Sequence, residues 1–330
     1  MKNPEKPFLK RLLIPSLLII FFGAGLACGW LLKGNKPEAT ELHEGQYEFI
    51  NPLLECEGSK EIISRELLSF KDKLEDLIHK EVEAKRINFA SIYFRDLNNG
   101  PWIGINEKER FLPGSLLKVP VMMAYLKKAE STPSILTKKI KYEGNTPSTG
   151  QFVQPALRLE KGGSYTVEEL IYRMIVYSDN DAQYLLQVND EEDLYGKVFA
   201  DLNIQLPYGV SSYRISVKKY SSFFRILFNS SYLNNEMSNK ALKLLSQADF
   251  KEGLVAGVPP GVPTAQKFGE SKSEDGQRQF HDCGIVYYPS HPYLLCVMTK
   301  GNDYSTFAPV IKSVSELVFE EVDIQMRKVR

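Results

Sequence analysis

Residues 111–123 read FLPGSLLKVPVMM, a serine and a lysine set in an otherwise apolar stretch. Ser115 and Lys118 lie three positions apart, so on a helix their side chains share one face. Because the surrounding residues are apolar on every side, the sequence predicts a buried helix. Burial disfavours the charged form of an amine, so Lys118 should have a lowered pKa and could accept the serine proton.

The start of this helix has two special residues. Gly114 lets another backbone or a substrate approach closely, and N–H groups at a helix start can bind an oxyanion. Pro120 lacks an N–H and would cost a helix interior about 3 kcal/mol, so we expect a late start or a kink there. The serine–lysine spacing alone is not specific, since Ser216 and Lys219 repeat it in a polar stretch.

Two further motifs follow in order along the chain. Residues 177–180 read YSDN at the end of a helical run, and residues 267–269 read KFG in a β-like stretch. S-x-x-K, S-D-N and K-x-G in this order form the motif set of class A β-lactamases and penicillin-binding proteins. From about residue 60 onward the chain therefore resembles that family of serine hydrolases.

The resemblance implies three catalytic residues. Ser115 would attack the substrate carbonyl, and Lys118 would deprotonate the serine. Ser178 would relay a proton toward the leaving nitrogen. No metal ion or other cofactor is implied, and no metal-ligand spacing occurs in the sequence.

The resemblance also implies the residues that bind substrate. Asn180 would hydrogen-bond the substrate's side-chain amide, and Lys267 would supply positive charge for Ser178 and for the substrate carboxylate. Gly269 in the same strand is the third residue expected to bind substrate. The backbone N–H groups of the nucleophilic serine and of Glu270 would form the oxyanion hole. Asp179 should hold its loop together without reacting.

The sequence departs from the family pattern in two places. Phe268 occupies the middle of K-x-G, where the family usually has a small hydroxyl residue that helps to hold a carboxylate. The glutamate with which class A β-lactamases break the acyl-enzyme is also missing, because Leu206–Tyr220 contains no acid and residues 191–193 come too soon after the second motif.

The alternation of strand-like and helical patterns indicates an α/β (α+β) fold. A hairpin pattern at 90–106 and three strand patterns between 264 and 299 predict one antiparallel sheet assembled from both ends of the domain. The helical stretch from 115 to about 249 would be an inserted all-α subdomain. Amphipathic helices are predicted at 61–85 and 306–322, flanking the sheet.

The N-terminal region has the pattern of a membrane anchor. Residues 12–32 contain no charge and follow a lysine- and arginine-rich stretch, so the sequence predicts one transmembrane helix with its N-terminus in the cytoplasm. Cleavage and lipidation at Cys28 is a less favoured alternative. The predicted organisation is a cytoplasmic tail (1–11), the anchor (12–32), an extracytoplasmic tether (33–58) whose residues 47–56 dock on the domain, and the hydrolase domain (59–330), in a bacterial cell membrane.

Composition narrows the choice of partners and chemistry. Forty-one basic and 41 acidic residues cancel, which disfavours a nucleic-acid partner. Cys283 and Cys296 lie in two strand patterns and could meet across a hairpin, but we expect buried free thiols.

Three functions remain open from the sequence. The first is a penicillin-recognising serine hydrolase that forms an acyl-enzyme with β-lactams and deacylates slowly. The second is a D,D-peptidase or transpeptidase that acts on peptidoglycan stem peptides. The third is a catalytically dead module that binds the cell wall. A Ser-His-Asp hydrolase is disfavoured because no G-x-S-x-G motif surrounds a serine.

Overall fold

A computed structural model describes residues 41–43, 48–51, 53–56, 65–98, 100–146, 150–205 and 213–329. The strands are β1 (Glu41–His43), β2 (Leu53–Cys56), β3 (Phe89–Asp96), β4 (Trp102–Ile105), β5 (Arg110–Phe111), β6 (Lys139–Lys141), β7 (Ser164–Thr166), β8 (Ile215–Ser216), β9 (Thr264–Lys272), β10 (Arg278–Val286) and β11 (Tyr293–Gly301). The α-helices are α1 (Arg65–Glu83), α2 (Lys118–Ser131), α3 (Val167–Val176), α4 (Asn180–Val188), α5 (Leu194–Asp201), α6 (Val217–Phe228), α7 (Asn235–Ser246) and α8 (Tyr304–Val329). Short 3₁₀ turns lie at Gly114–Leu117, Pro133–Thr137 and Leu254–Gly257.

The main sheet has five antiparallel strands in the order β4-β3-β11-β10-β9. It joins the early hairpin to the three late strands through the pairing of β3 with β11. The prediction of one sheet built from both ends of the domain is therefore confirmed. Strand β9 lies at one edge, where it contacts the 3₁₀ turn that contains the predicted nucleophile.

Two apolar cores pack on opposite faces of this sheet. Alternate side chains of β10 point into different cores. Phe280 belongs to the core with α1 and α8, whereas Cys283 and Ile285 belong to the core with the helical subdomain. This is the alternation expected of a strand buried on both faces. The helical subdomain is therefore packed on one face of the sheet, as the sequence predicts.

The buried helix begins as its sequence dictates. The 3₁₀ turn Gly114–Leu117 comes first, and α2 starts at Lys118, so Pro120 is the third residue of the helix. The first four N–H groups of an α-helix have no partner within the helix, so a proline at this place removes no internal bond. The expected late start is confirmed.

The two cysteines of the hairpin are paired, so the prediction of free thiols is wrong. Cys283 and Cys296 form a disulfide, with their Cα atoms 4.0 Å apart. They stand directly opposite each other in the register of β10 and β11, and both are fully buried on the same face. Because cross-strand partners bring their Cβ atoms close together, the register itself brings the two sulfur atoms together.

Residues 49–51, which belong to the stretch 47–56 expected to dock, are packed on the domain. Phe49 and Ile50 are buried in the core of the helical subdomain. Asn51 donates its backbone N–H to the carbonyl of Phe228 at 2.7 Å, and the Tyr287 hydroxyl donates to the carbonyl of Phe49 at 2.8 Å.

The predicted anchor at 12–32 lies outside the described residues. Within the part of the chain that the structure describes, no helix is long and apolar enough to cross a membrane.

Candidate active site

The 3₁₀ turn and the first residue of α2 place Ser115 and Lys118 side by side. Lys118 Nζ lies 2.9 Å from Ser115 Oγ, and the lysine side chain is fully buried. Ser115 is 8% exposed. At this distance a neutral amine can take the serine proton directly, without a bridging water.

The environment of Lys118 favours the neutral amine. Its pKa is lowered well below the ordinary value, first because burial removes the ammonium from water and second because Lys267 adds like charge. The carboxyl groups of Asp179 and Glu270 oppose the shift only in part. Lys118 therefore lies where a general base for Ser115 would lie, and the direction of its pKa shift favours that role.

The loop between α3 and α4 places the second motif beside Lys118. Ser178 is buried with a φ of 56°, so its backbone is in the left-handed region. Lys118 Nζ lies 2.6 Å from the Ser178 carbonyl oxygen, 3.1 Å from Ser178 Oγ and 2.6 Å from Asn180 Oδ1. Asp179 is the N-cap of α4 and accepts from the backbone N–H groups of Asp181 at 2.8 Å and Ala182 at 3.3 Å. Asp179 thus holds the loop that carries Ser178 and Asn180.

Strand β9 supplies the second lysine. Lys267 is buried and donates to Ser178 Oγ at 2.9 Å and to the Phe268 carbonyl at 3.0 Å. Burial lowers its pKa to about 7, although the negative charges of Asp282 and Glu270 counteract the shift. Ser178 Oγ therefore lies between two amines that can exchange a proton with it.

Two glycines allow β9 to pack directly on the nucleophile turn. A Cβ on Gly269 would lie 2.5 Å from the Pro113 carbonyl oxygen. A Cβ on Gly114, whose φ is +54°, would lie 2.1 Å from the Glu270 carbonyl oxygen. The backbones of 113–116 and 269–270 are thus in contact, which places Ser115 and Glu270, the residues predicted to form the oxyanion hole, next to each other.

Phe268 does not crowd the nucleophile. Its ring is 4% exposed and packs in the core on the α8 side, with its centroid 4.5 Å from that of Phe250 and 5.8 Å from that of Phe280. Lys267 Nζ lies 4.1 Å from the centroid of the Phe268 ring. The departure from the family pattern therefore removes a hydroxyl group without filling the site with an aromatic ring.

Strand β10 contains functional neighbours that sequence reasoning missed. His281 is buried, its pKa is lowered to about 4 by burial, and its Nε2 lies 2.9 Å from the Leu112 carbonyl oxygen. The Gln279 side-chain carbonyl accepts from the Leu112 N–H at 2.9 Å. Together they hold the residue that leads into the nucleophile turn.

Asp282 on the same strand was also missed. Its carboxyl group is fully buried, and one oxygen accepts from the Leu254 N–H at 2.9 Å. Burial raises its pKa to about 7. An acid in the middle of a strand pattern, at FHDCGIV, was the available signal.

The region expected to contain a deacylating base contributes apolar packing where it is described. Residues 206–212 lie outside the described residues. Tyr213, Ile215 and Val217 are buried, and the Tyr220 hydroxyl donates to the Leu116 carbonyl at 2.9 Å. This part of the chain supports the nucleophile turn from behind.

A mixed fold with a serine beside a buried lysine at the junction of sheet and helices is the arrangement expected of a serine acyl-transfer enzyme. A family model described as "Beta-lactamase enzyme family" matches residues 69–322. The chain therefore belongs to this family and is a serine hydrolase. No curated protein sequence matches the chain.

Solved structures show the same fold at low identity. A variant of PBP-A, in an acyl-enzyme complex with penicillin G, is 18% identical, with 78% of this chain and 97% of that chain covered and a TM-score of 0.65. A β-lactamase from Sphaerobacter thermophilus DSM 20745 is 19% identical, with coverages of 77% and 97% and a TM-score of 0.66. A class A β-lactamase from Mycobacterium abscessus is 20% identical, with coverages of 77% and 99% and a TM-score of 0.63.

Proposed function

We propose that this enzyme forms an acyl-enzyme on Ser115 with β-lactams. The observation that carries the proposal is the buried Lys118 amine, 2.9 Å from the serine oxygen and with a lowered pKa. The acyl-enzyme of PBP-A with penicillin G supports it by analogy of fold.

The proposed acylation uses the polar groups of the site in sequence. The Ser115 hydroxyl gives its proton to Lys118 Nζ while Oγ forms a bond to the carbonyl carbon of the amide. The oxyanion is bound by the backbone N–H groups of Ser115 and Glu270. When the C–N bond breaks, the nitrogen takes a proton from Ser178, which Lys118 or Lys267 replaces.

Binding of the substrate would use the residues beside the nucleophile. Asn180 at the start of α4 would hydrogen-bond the amide of the substrate's side chain. Lys267, together with the β9 backbone at Gly269, would face the leaving-group end of the substrate. Because Phe268 has no hydroxyl, a substrate carboxylate would depend on Lys267 more than in the family pattern.

Deacylation is the step for which this chain lacks the family's general base. No acid occurs between Leu206 and Tyr220, where class A β-lactamases place the glutamate that activates water. We therefore propose acylation with slow release, so that the enzyme traps β-lactams more than it turns them over.

The missing acid between Leu206 and Tyr220 also supports a second candidate function. A D,D-peptidase or transpeptidase passes its acyl group to an amine, which is a stronger nucleophile than water and can lose its proton to Lys118 or Ser178. Peptidoglycan stem peptides would be the acyl donors, and they lie outside the cytoplasmic membrane.

The membrane-anchored location remains part of the proposal. The charge-free stretch 12–32 and the basic residues before it favour a single span with the hydrolase domain outside. Protease added to intact cells should then digest the domain, and protection of the domain would contradict this topology.

The proposed function is tested by incubating the full chain with a labelled penicillin and measuring intact mass. We expect one covalent adduct per chain, and none with Ser115→Ala. A wild-type chain that never gains the adduct would contradict the proposal and favour the catalytically dead wall-binding module.

A further inference from the structure

Residues 150–154, the cover segment, lie outside the three sequence motifs but contact two of them. The Gln151 side-chain amide donates to the Ser178 carbonyl oxygen at 3.2 Å. The same carbonyl oxygen lies 2.6 Å from Lys118 Nζ. The cover segment is therefore fixed beside the proposed general base through the side chain of Gln151.

The next two residues of the cover segment are fixed by the side chain of Glu270. Its Oε1 accepts from the Phe152 N–H at 2.8 Å, and its Oε2 accepts from the Val153 N–H at 3.2 Å. Each oxygen accepts from one N–H, which is the pattern that suits an ionised carboxylate. These two bonds join positions 117 and 118 residues apart in the chain.

Apolar contacts reinforce the attachment of Phe152 and Val153. The Phe152 ring stacks on Tyr304 with centroids 5.1 Å apart and planes at 21°, and the Tyr304 hydroxyl donates to the Ser271 carbonyl at 2.7 Å. Val153 packs against the core on the α8 side. Phe152 nevertheless remains 54% exposed, so its ring lies on the surface at the edge of β9.

The two attachment points belong to different parts of the structure that both contact the nucleophile turn or its lysine. Ser178 is on the helical side, bonded to Lys118, whereas the Glu270 backbone on the sheet side contacts Gly114. Residues 151–153 therefore bridge the two parts that flank the nucleophile turn, and Ser115 in that turn is 8% exposed.

We propose that the carboxylate of Glu270 is a positioning group that holds residues 151–153 across the access to Ser115, so that an amide acyl donor reaches the nucleophile only after this contact opens. This role differs from that of the Glu270 backbone N–H in the oxyanion hole. The part of the proposal that concerns the acyl donor rests on the proposed acylation of Ser115.

Amide hydrogen exchange of the full chain tests directly whether Glu270 holds the cover segment, and it needs no enzymatic activity. Glu270→Gln keeps the size of the side chain but presents an NH₂ group to one of the two N–H donors. The peptide that contains the Phe152 and Val153 amides should exchange roughly tenfold faster, because a hydrogen bond to a charged group is replaced by a donor facing a donor. Unchanged exchange in this peptide would overturn the proposal.

Asp190 offers a matched control. Its carboxylate also accepts from two successive backbone N–H groups, those of Leu194 at 2.8 Å and Tyr195 at 2.9 Å, but these lie in the helical subdomain and not in the cover segment. Asp190→Asn should leave the exchange of the cover segment unchanged. Phe152→Ala removes the stacking on Tyr304 from an exposed position and should also make the cover segment exchange faster. This variant replaces Glu270→Gln in the test if Glu270→Gln does not fold.

The second readout is the rate constant of acylation by a fluorescent penicillin. A loosened cover segment should raise it several-fold in Glu270→Gln and leave it unchanged in Asp190→Asn. Faster exchange without faster acylation would mean that the cover segment does not limit access, and the proposal would be wrong. Absence of adduct in every chain would instead refute the proposed acylation, while the exchange result would still decide whether Glu270 holds the segment.

Discussion

A buried lysine surrounded by neutral oxygen atoms is the central feature at the scale of single residues. Lys118 Nζ lies near four oxygen atoms, from Ser115, Ser178 and Asn180, and each is a hydroxyl or carbonyl oxygen. These neutral oxygens add no negative charge beside the amine, so burial is the largest cause of the lowered pKa of Lys118, and the like charge of Lys267 is the second. The sequence predicts the lowered pKa of Lys118 from the apolar residues around it, because desolvation depends on which residues surround a group.

Replacing Lys118 by arginine tests the role of the neutral amine. Guanidinium remains protonated in proteins, so Lys118→Arg keeps a cation but removes the base. We expect acylation of Ser115 by a labelled penicillin to fall by at least about 10²-fold, the lower end of what general-base catalysis contributes. Far-UV circular dichroism should show an intact fold. Acylation at the wild-type rate in a folded variant would show that another group deprotonates Ser115.

The buried Asp282 makes a prediction about stability and pH. Its pKa is about 7 in the folded protein and near 3.8 when unfolded, so the folded state binds more protons between these values and loses stability as pH rises from about 4 to 7. In Asp282→Asn the side-chain amide cannot ionise, and its oxygen can still accept from the Leu254 N–H. This variant should therefore gain stability relative to wild type between pH 5 and pH 8, by on the order of 1–3 kcal/mol.

Lys267, whose pKa is affected by the charge of Asp282, changes only the size of the predicted difference in stability. Without Asp282 the pKa of Lys267 should fall below about 7, which also favours the variant as pH rises. Denaturant unfolding of both chains at the two pH values gives the difference. An equal difference in unfolding free energy at pH 5 and pH 8 would mean that Asp282 does not change its protonation state in this range.

At the scale of elements, the contact of β9 with the nucleophile turn requires a glycine. Gly114→Ala would place a Cβ in the left-handed region and 2.1 Å from the Glu270 carbonyl oxygen, so either β9 or the turn must move. We expect a loss of more than about 2 kcal/mol in unfolding free energy and loss of acylation, because the two proposed oxyanion-hole N–H groups separate.

Gly162→Ala is the matched control for that change. Gly162 has a φ of +86°, but no atom of the described residues lies within 4 Å of a Cβ built on it. The control carries the backbone strain alone, which is about 1–3 kcal/mol, and should acylate normally. If Gly114→Ala also acylates normally, the close approach of β9 is not needed for the reaction.

The same scale shows what the sequence could and could not predict. Strands β3, β4, β9, β10 and β11 were predicted because alternation and turn residues are local signals. The disulfide was mispredicted because the thiol state depends on the register of two strands, which places Cys283 opposite Cys296. The cover segment was missed because its hydrogen bonds to Glu270 come from the other end of the domain, and no local pattern marks them.

For the whole molecule, the site exists only where sheet and helical subdomain meet. Ser115 and Lys118 come from the turn and α2, Ser178 from the helical subdomain, and Lys267 from the edge of the sheet. Hydrogen bonds connect Ser178 to Lys118, 60 positions away in sequence, and to Lys267, 89 positions away. The motif order predicted this meeting, whereas the contacts of Asp282 and of the Glu270 side chain are seen only in the folded chain. Stability of the junction and catalysis should therefore be lost together when the two parts separate.

The last prediction concerns what the whole molecule does with a β-lactam after acylation. Hydrolysis of the ester on Ser115 needs an activated water, and general-base help is worth about 10²–10⁴ in rate. The stretch from Leu206 to Tyr220 contains no carboxylate to give that help. A stoichiometric burst of penicillin opening should therefore be followed by a steady rate at least about 10²-fold slower, with the adduct persisting in intact-mass spectra.

Two controls separate trapping from other causes of a slow steady rate. Ser115→Ala should abolish both the burst and the adduct, because the variant lacks the oxygen that attacks the carbonyl carbon. An added D-amino acid should shorten the lifetime of the adduct if an amine can replace water as acceptor, since its proton can pass to Lys118 or Ser178. Rapid multiple turnover without any amine would show that another group activates water, and Glu270 would be the first carboxylate to test, because its charge already acts on Lys118 and Lys267.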